Sequence, residues 1–70
     1  MSAEHAQRAL TPRQRQILVL LGEGVPARTI AVQLDLAEST VRNHIRSVLV
    51  KLGCHSQLEA VATGRRKGLL

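Results

Sequence analysis

The chain has 70 residues, ten Lys or Arg against five Asp or Glu, a net charge of +5 and a sequence pI of about 11.2, so it holds one small domain at most and favours a polyanionic partner, nucleic acid or an acidic membrane surface. It is 44% hydrophobic but has no Phe, Tyr or Trp, so its core must be Leu, Val, Ile and Ala, enough for a short helical bundle of modest stability. The single Cys54 excludes an intrachain disulfide, no apolar run approaches the ~20 residues of a bilayer span, and no cleavable signal pattern is present; the chain reads as cytoplasmic.

Residues 1–9, MSAEHAQRA, show neither period nor cap and are expected to form a flexible arm or linker stub ahead of a domain over 10–70. The first helix is predicted to start at Thr11, because TPRQ supplies an N-cap hydroxyl, a proline at the first helical position and a Gln14 able to return a hydrogen bond to the cap. Ile17, Leu18, Leu20 and Leu21 form its apolar side, and Gly22 and Gly24 end it. A second helix is predicted from about Pro26, with Ile30, Ala31 and Leu34 on one face. The following DLAES has no glycine, but Asp35 tolerates a left-handed backbone better than most residues and makes a tight turn feasible. The third helix is predicted over Glu38–Leu52: Glu38 suits the positive end of the helix dipole, Lys51 the negative end, and Gly53 the stop. The fourth starts at SQLE, where Ser56 and Glu59 form a capping-box pattern, and carries a stripe of Leu58, Val61, Ala62 and Arg65 before RRK and a closing GLL. Val and Ile recur at helical spacing without alternation, so no strand is expected and the fold class is all-α: a compact four-helix domain.

Residues 27–46, ARTIAVQLDLAESTVRNHIR, carry the functional signal. Two helices joined by a short turn cross closely only over a small residue, which Ala31 provides. Ile30, Leu34, Leu36, Val41 and Ile45 supply the apolar contacts of a rigid pair. This is the spacing of a helix-turn-helix. The second helix then packs one side down and presents Ser39, Arg42, Asn43 and Arg46 on the other. An α-helix fits the DNA major groove, where such side chains reach base edges and phosphates. Arginines standing alone are usually solvated charges; in this setting they point to DNA.

The stretch from Leu10 to Leu70 resembles the C-terminal DNA-binding domain of LuxR-type regulators, a class that also closes many two-component response regulators. LTPR, GEG, IAVQL, STVRNHI, KLG and the closing GLL match in order and at the right intervals. The resemblance implies a third helix in the major groove and dimers on DNA formed through the fourth helix. It places Arg42, Asn43 and Arg46 at recognition positions, Ser39 and Thr40 at the start of that helix, and Arg28 at the opening of the second. Leu58, Ala62 and Arg65, with Val61 in the same stripe, fall on the dimer face. Lys51 joins the arginines as a candidate phosphate contact. The implied partners are double-stranded DNA, a second copy of the chain on DNA and RNA polymerase; no membrane, metal or cofactor is expected. The chain departs from the family pattern at Gln14 and Thr29, where Glu is common, at Ala37, where a capping Ser or Thr is frequent, and at Gln57, where Arg is frequent.

Other chemistry is weakly supported. Cys54 beside His55 has no Asp or Asn to orient the histidine, so it reads as a small turn residue and not a nucleophile. The three His and one Cys lack zinc-ligand spacing. His44, next to the apolar arc, reads as packed and hydrogen-bonded, not as a pH switch, and RRK as a cluster of helix-end charges. No catalytic constellation exists, so an enzyme is not expected. The competing readings are an interaction module that has lost DNA binding and, within the DNA-binding class, the promoter-reading domain of a sigma factor.

Overall fold

The computed structural model describes residues 9–70, so all of the expected N-terminal arm except Ala9 lies outside the described residues. Among the described residues there are four helices: α1 (Pro12–Gly22), α2 (Ala27–Leu34), α3 (Glu38–Leu52) and α4 (Gln57–Arg66). Among the described residues there is no strand.

The local chemistry explains where each helix begins. Thr11 caps α1 with a complete capping box: its Oγ1 accepts from the Gln14 N–H at 3.1 Å, and Gln14 Oε1 accepts from the Thr11 N–H at 3.1 Å. Pro26 stands one residue before α2 in extended backbone. Ala37, at the same place before α3, gives no side-chain cap. Ser56 caps α4 through its Oγ, which accepts from the Glu59 N–H at 3.1 Å, but the reciprocal half of the expected box is displaced. Glu59 Oε1 accepts instead from the His55 N–H at 2.8 Å, one residue further upstream.

The four helices stop in one way. After each, a residue with positive φ reverses the chain, and the next N–H bonds back to a carbonyl five residues earlier: Val25 to Leu20, Leu36 to Ala31, Cys54 to Leu49 and Leu69 to Gly64. This is the Schellman arrangement, in which an apolar residue follows the reversal. Glycine makes the reversal everywhere except between α2 and α3, where Asp35 adopts φ 57. Leu36 is thereby turned back onto the crossing of the two helices.

Two apolar clusters hold the helices together. Ile17, Ala27, Ile30, Ala31, Val41 and Ile45 fill the junction of α1, α2 and α3, with Leu34 and Leu36 packed against them. Leu18, Val48, Cys54 and Ala60 fill the junction of α1, α3 and α4, with Val61 and Leu69 alongside. Leu49 packs against both clusters. The aliphatic core expected from composition is therefore present, and Ala31 is the small residue at the helix crossing. At the other end, Leu70 lies over two glycines: a Cβ on Gly22 would come within 3.0 Å of it, and one on Gly64 within 3.3 Å.

Candidate nucleic-acid interface

The interface is built on α3. Val41 and Val48 are fully buried and Ile45 nearly so, which fixes the rotation of the helix. At about 100° per residue, Ser39, Asn43, Arg46 and Val50 then line up on the side away from the core, and all four are exposed. Arg42 lies on one flank of that line, next to a shallow cleft that it forms with Ile45, Arg46, Leu49 and Gln57 at the start of α4. Thr40, half-buried, lies on the other flank. Arg28 is exposed in the first turn of α2.

Two hydrogen-bonded pairs order this surface. Arg42 donates from Nε at 3.1 Å and from Nη2 at 2.6 Å to one oxygen of Glu38, a turn earlier. Arg46 donates from Nη1 to Asn43 Oδ1 at 3.1 Å. The Asn43 amide oxygen is thus already accepting, and its NH2 group is left to donate. Neither pair was part of the sequence expectation, although both spacings, i to i+4 and i to i+3, are those at which helix side chains meet.

Lys51 is placed differently. It lies roughly opposite Arg42 around the helix, and its ammonium donates to Gln14 Oε1 at 2.9 Å and to the Ala9 carbonyl at 3.3 Å. The lysine fastens α3 to the start of α1, and a phosphate contact would require it to leave both acceptors. Gln14, buried, is the hub of this contact as well as of the α1 cap. A separation of 37 residues gives no local signal in sequence for such a bond.

On α4 the side turned to the core is Ala60, Thr63 and Gly64. The stripe expected at a dimer face divides. Leu58 is 81% exposed and Ala62 is exposed beside it, one turn on. Val61 turns half inward, and Arg65 Nη2 donates to the Gly22 carbonyl at 3.3 Å, at the C-terminus of α1.

The side chains of Cys54 and His55 diverge. Cys54 is buried, with Sγ 3.4 Å from Thr63 Oγ1, whereas the His55 side chain is exposed and close to Glu59. Cys54 lies in the turn between α3 and α4, as expected of a small turn residue, and its side chain joins the core. His44 is half-buried as expected, but no side-chain hydrogen bond involving it is found among the described residues. Among those residues no group of His, Cys, Asp or Glu is arranged to hold a metal ion.

A tightly packed pair of helices, the second carrying arginines and an asparagine on its free side, defines a helix-turn-helix domain. Residues 8–63 match the family model described as bacterial regulatory proteins, luxR family. The chain is 39% identical over 61 residues to the spore germination protein GerE of Bacillus subtilis, a match covering 87% of this chain and 82% of that protein. It is 47% identical over 51 residues to the nitrate/nitrite response regulator protein NarL of Escherichia coli K12, covering 73% of this chain but 24% of NarL. The solved structure of the transcription factor GerE superposes with a TM-score of 0.82 at 39% identity, over 90% of this chain and 96% of that one. The chain belongs to the luxR family of bacterial regulatory proteins, as a DNA-binding helix-turn-helix domain of that family. It spans about a quarter of the length of NarL and most of the length of GerE.

Proposed function

We propose that this chain binds double-stranded DNA sequence-specifically to regulate transcription, with α3 in the major groove. The observation that carries the reading is the division of α3: its apolar side closes the core, while Ser39, Arg42, Asn43 and Arg46 are exposed on the other side in a chain of net charge +5. At least one of Arg42 and Asn43 reads a base, Arg46 reads a base or clamps the backbone, Ser39 and Thr40 contact bases or phosphates at the start of the helix, and Arg28 contacts a phosphate. Lys51 joins them only by giving up its bonds to α1.

On DNA two copies pair through α4, with Leu58 and Ala62 at the centre and Val61 and Arg65 at the edge. That strip is too narrow for the ~1,200 Å² of a standard stable interface, so the free chain is mainly monomeric and pairing gains from the effective concentration of two adjacent half-sites. Among the described residues no helix is long and apolar enough to cross a membrane. RNA polymerase is the further partner such a regulator would meet.

Binding to a duplex selected from random DNA, measured across a range of salt, tests this function. The logarithm of affinity should fall linearly with the logarithm of salt, by about 0.9 for each phosphate neutralised. An affinity unchanged between low and moderate salt would mean that the basic surface is not the binding surface. Sedimentation without DNA should give mainly monomer at micromolar concentration; a tight dimer there would overturn the pairing scheme.

A further inference from the structure

We infer that Glu38 is a positioning residue for base recognition: it holds the Arg42 guanidinium by one edge, so that the other edge serves as a guanine-reading fork instead of a free phosphate clamp. This rests on the reading of α3 as the DNA-facing helix. The starting observation is a carboxylate in the first turn of that helix, on a surface that is otherwise cationic or neutral. Against a phosphate backbone a carboxylate is repelled. Its benefit to the helix dipole is available to any acid in the first turn and does not require an arginine one turn later.

The geometry gives the carboxylate a more specific task. A guanidinium has five N–H donors in a rigid plane. Glu38 Oε2 accepts from Nε at 3.1 Å and from Nη2 at 2.6 Å, which uses one edge of that plane. The second Nη2 proton and both Nη1 protons stay free. The Nη1/Nη2 edge has the two parallel donors that match guanine O6 and N7. An arginine restrained in this way enters the groove with its plane set, and it loses less side-chain freedom on pairing. The Glu38–Arg42 pair is also locally neutral. Arg42 then adds little to counterion release, which acts on all sequences alike, and more to discrimination among bases. The side chains of Arg42 and Glu38 are 57% and 41% exposed, so the pair is reachable by DNA without rearrangement of the core.

The test compares the unmodified chain, Glu38→Ala, Glu38→Gln and Arg42→Ala. The probes are a duplex selected from random DNA by the unmodified chain, its complete set of single-base variants, and a random-sequence duplex, at several salt concentrations. Arg42→Ala should remove the preference for guanine at one position of each half-site. Glu38→Ala should weaken that same preference about three- to tenfold, a part of the discrimination carried by a bidentate contact. Binding to the random duplex should become tighter, and the log–log salt slope steeper by up to about 0.9, because a released Arg42 is free to neutralise a phosphate. Glu38→Gln should fall between the two, since its amide oxygen still accepts but carries no charge. If Glu38→Ala changes affinity equally on every duplex with the guanine preference intact, while Arg42→Ala abolishes it, the positioning role is wrong and the reading of α3 stands. If Arg42→Ala also leaves every base preference unchanged, Arg42 reads no base and the positioning role falls with it, while base reading by α3 then depends on Asn43.

Discussion

The two sides of α3 obey different rules although they share one backbone. On the inner side, Val41, Ile45 and Val48 are at most 5% exposed and are surrounded by the other three helices. On the outer side, Arg42, Asn43 and Arg46 are exposed and hydrogen-bond to side chains of their own helix. Inner residues contribute to stability through burial, at about 1.5–3 kcal/mol per large aliphatic side chain. Outer residues contribute little, since exposed pairs are worth about 0–1 kcal/mol. Substitutions on the two sides should therefore separate folding from recognition.

The largest effect is expected on the inner side. Ile45→Ala removes most of a buried side chain from the α2–α3 crossing and should lower stability by about 2–5 kcal/mol. A domain of this length is expected to have roughly 4–10 kcal/mol in total. Urea unfolding should show a greatly reduced midpoint, and any loss of DNA binding should follow the unfolded fraction. A midpoint close to that of the unmodified chain would contradict the packing described for α3.

On the outer side, Asn43→Ala should cost roughly 1–3 kcal/mol of base discrimination while leaving the unfolding midpoint almost unchanged. Lys51→Ala sharpens the comparison, because Lys51 lies between the two sides. Loss of its bonds to Gln14 and Ala9 should reduce stability by about 1 kcal/mol and affect DNA affinity less than Arg46→Ala does. If Lys51→Ala weakened binding as strongly as Arg46→Ala with the fold intact, the lysine would belong to the interface and would leave α1 when DNA is bound. The smallest effect is expected at the start of the helix, where Ala37→Ser should supply the missing cap and raise stability by about 0.5–1 kcal/mol in thermal unfolding.

Local features were legible in the sequence to the extent that they depend on neighbours along the chain. The cap at Thr11, the reversal at Asp35, the extent of α3 and its stop at Gly53 follow from residue type and short-range periodicity, and all are present. The small residue at the crossing, Ala31, was legible for the same reason. The α4 box was only half legible: the Ser56 cap formed, but Glu59 turned to His55, and the pattern alone does not distinguish two adjacent N–H donors. The attachment of Lys51 to Gln14 and of Arg65 to the Gly22 carbonyl was not legible, because each joins positions about forty residues apart and depends on how α1 lies against α3 and α4. The pairing of Glu38 with Arg42 could have been read from its spacing. The helix dipole alone is a sufficient reason for an acid at position 38, so the residue type does not by itself point to Arg42 as its partner.

The account depends on direct reading of bases by the outer side of α3. Arg42→Ala and Asn43→Ala, each compared with the unmodified chain on a selected duplex and its single-base variants, test it most directly. Each variant should keep its unfolding midpoint and lose preference at one defined position, which should occur twice in inverted half-sites. Uniform weakening by both variants, with every base preference retained, would contradict direct reading and reduce this face to a clamp on the phosphate backbone.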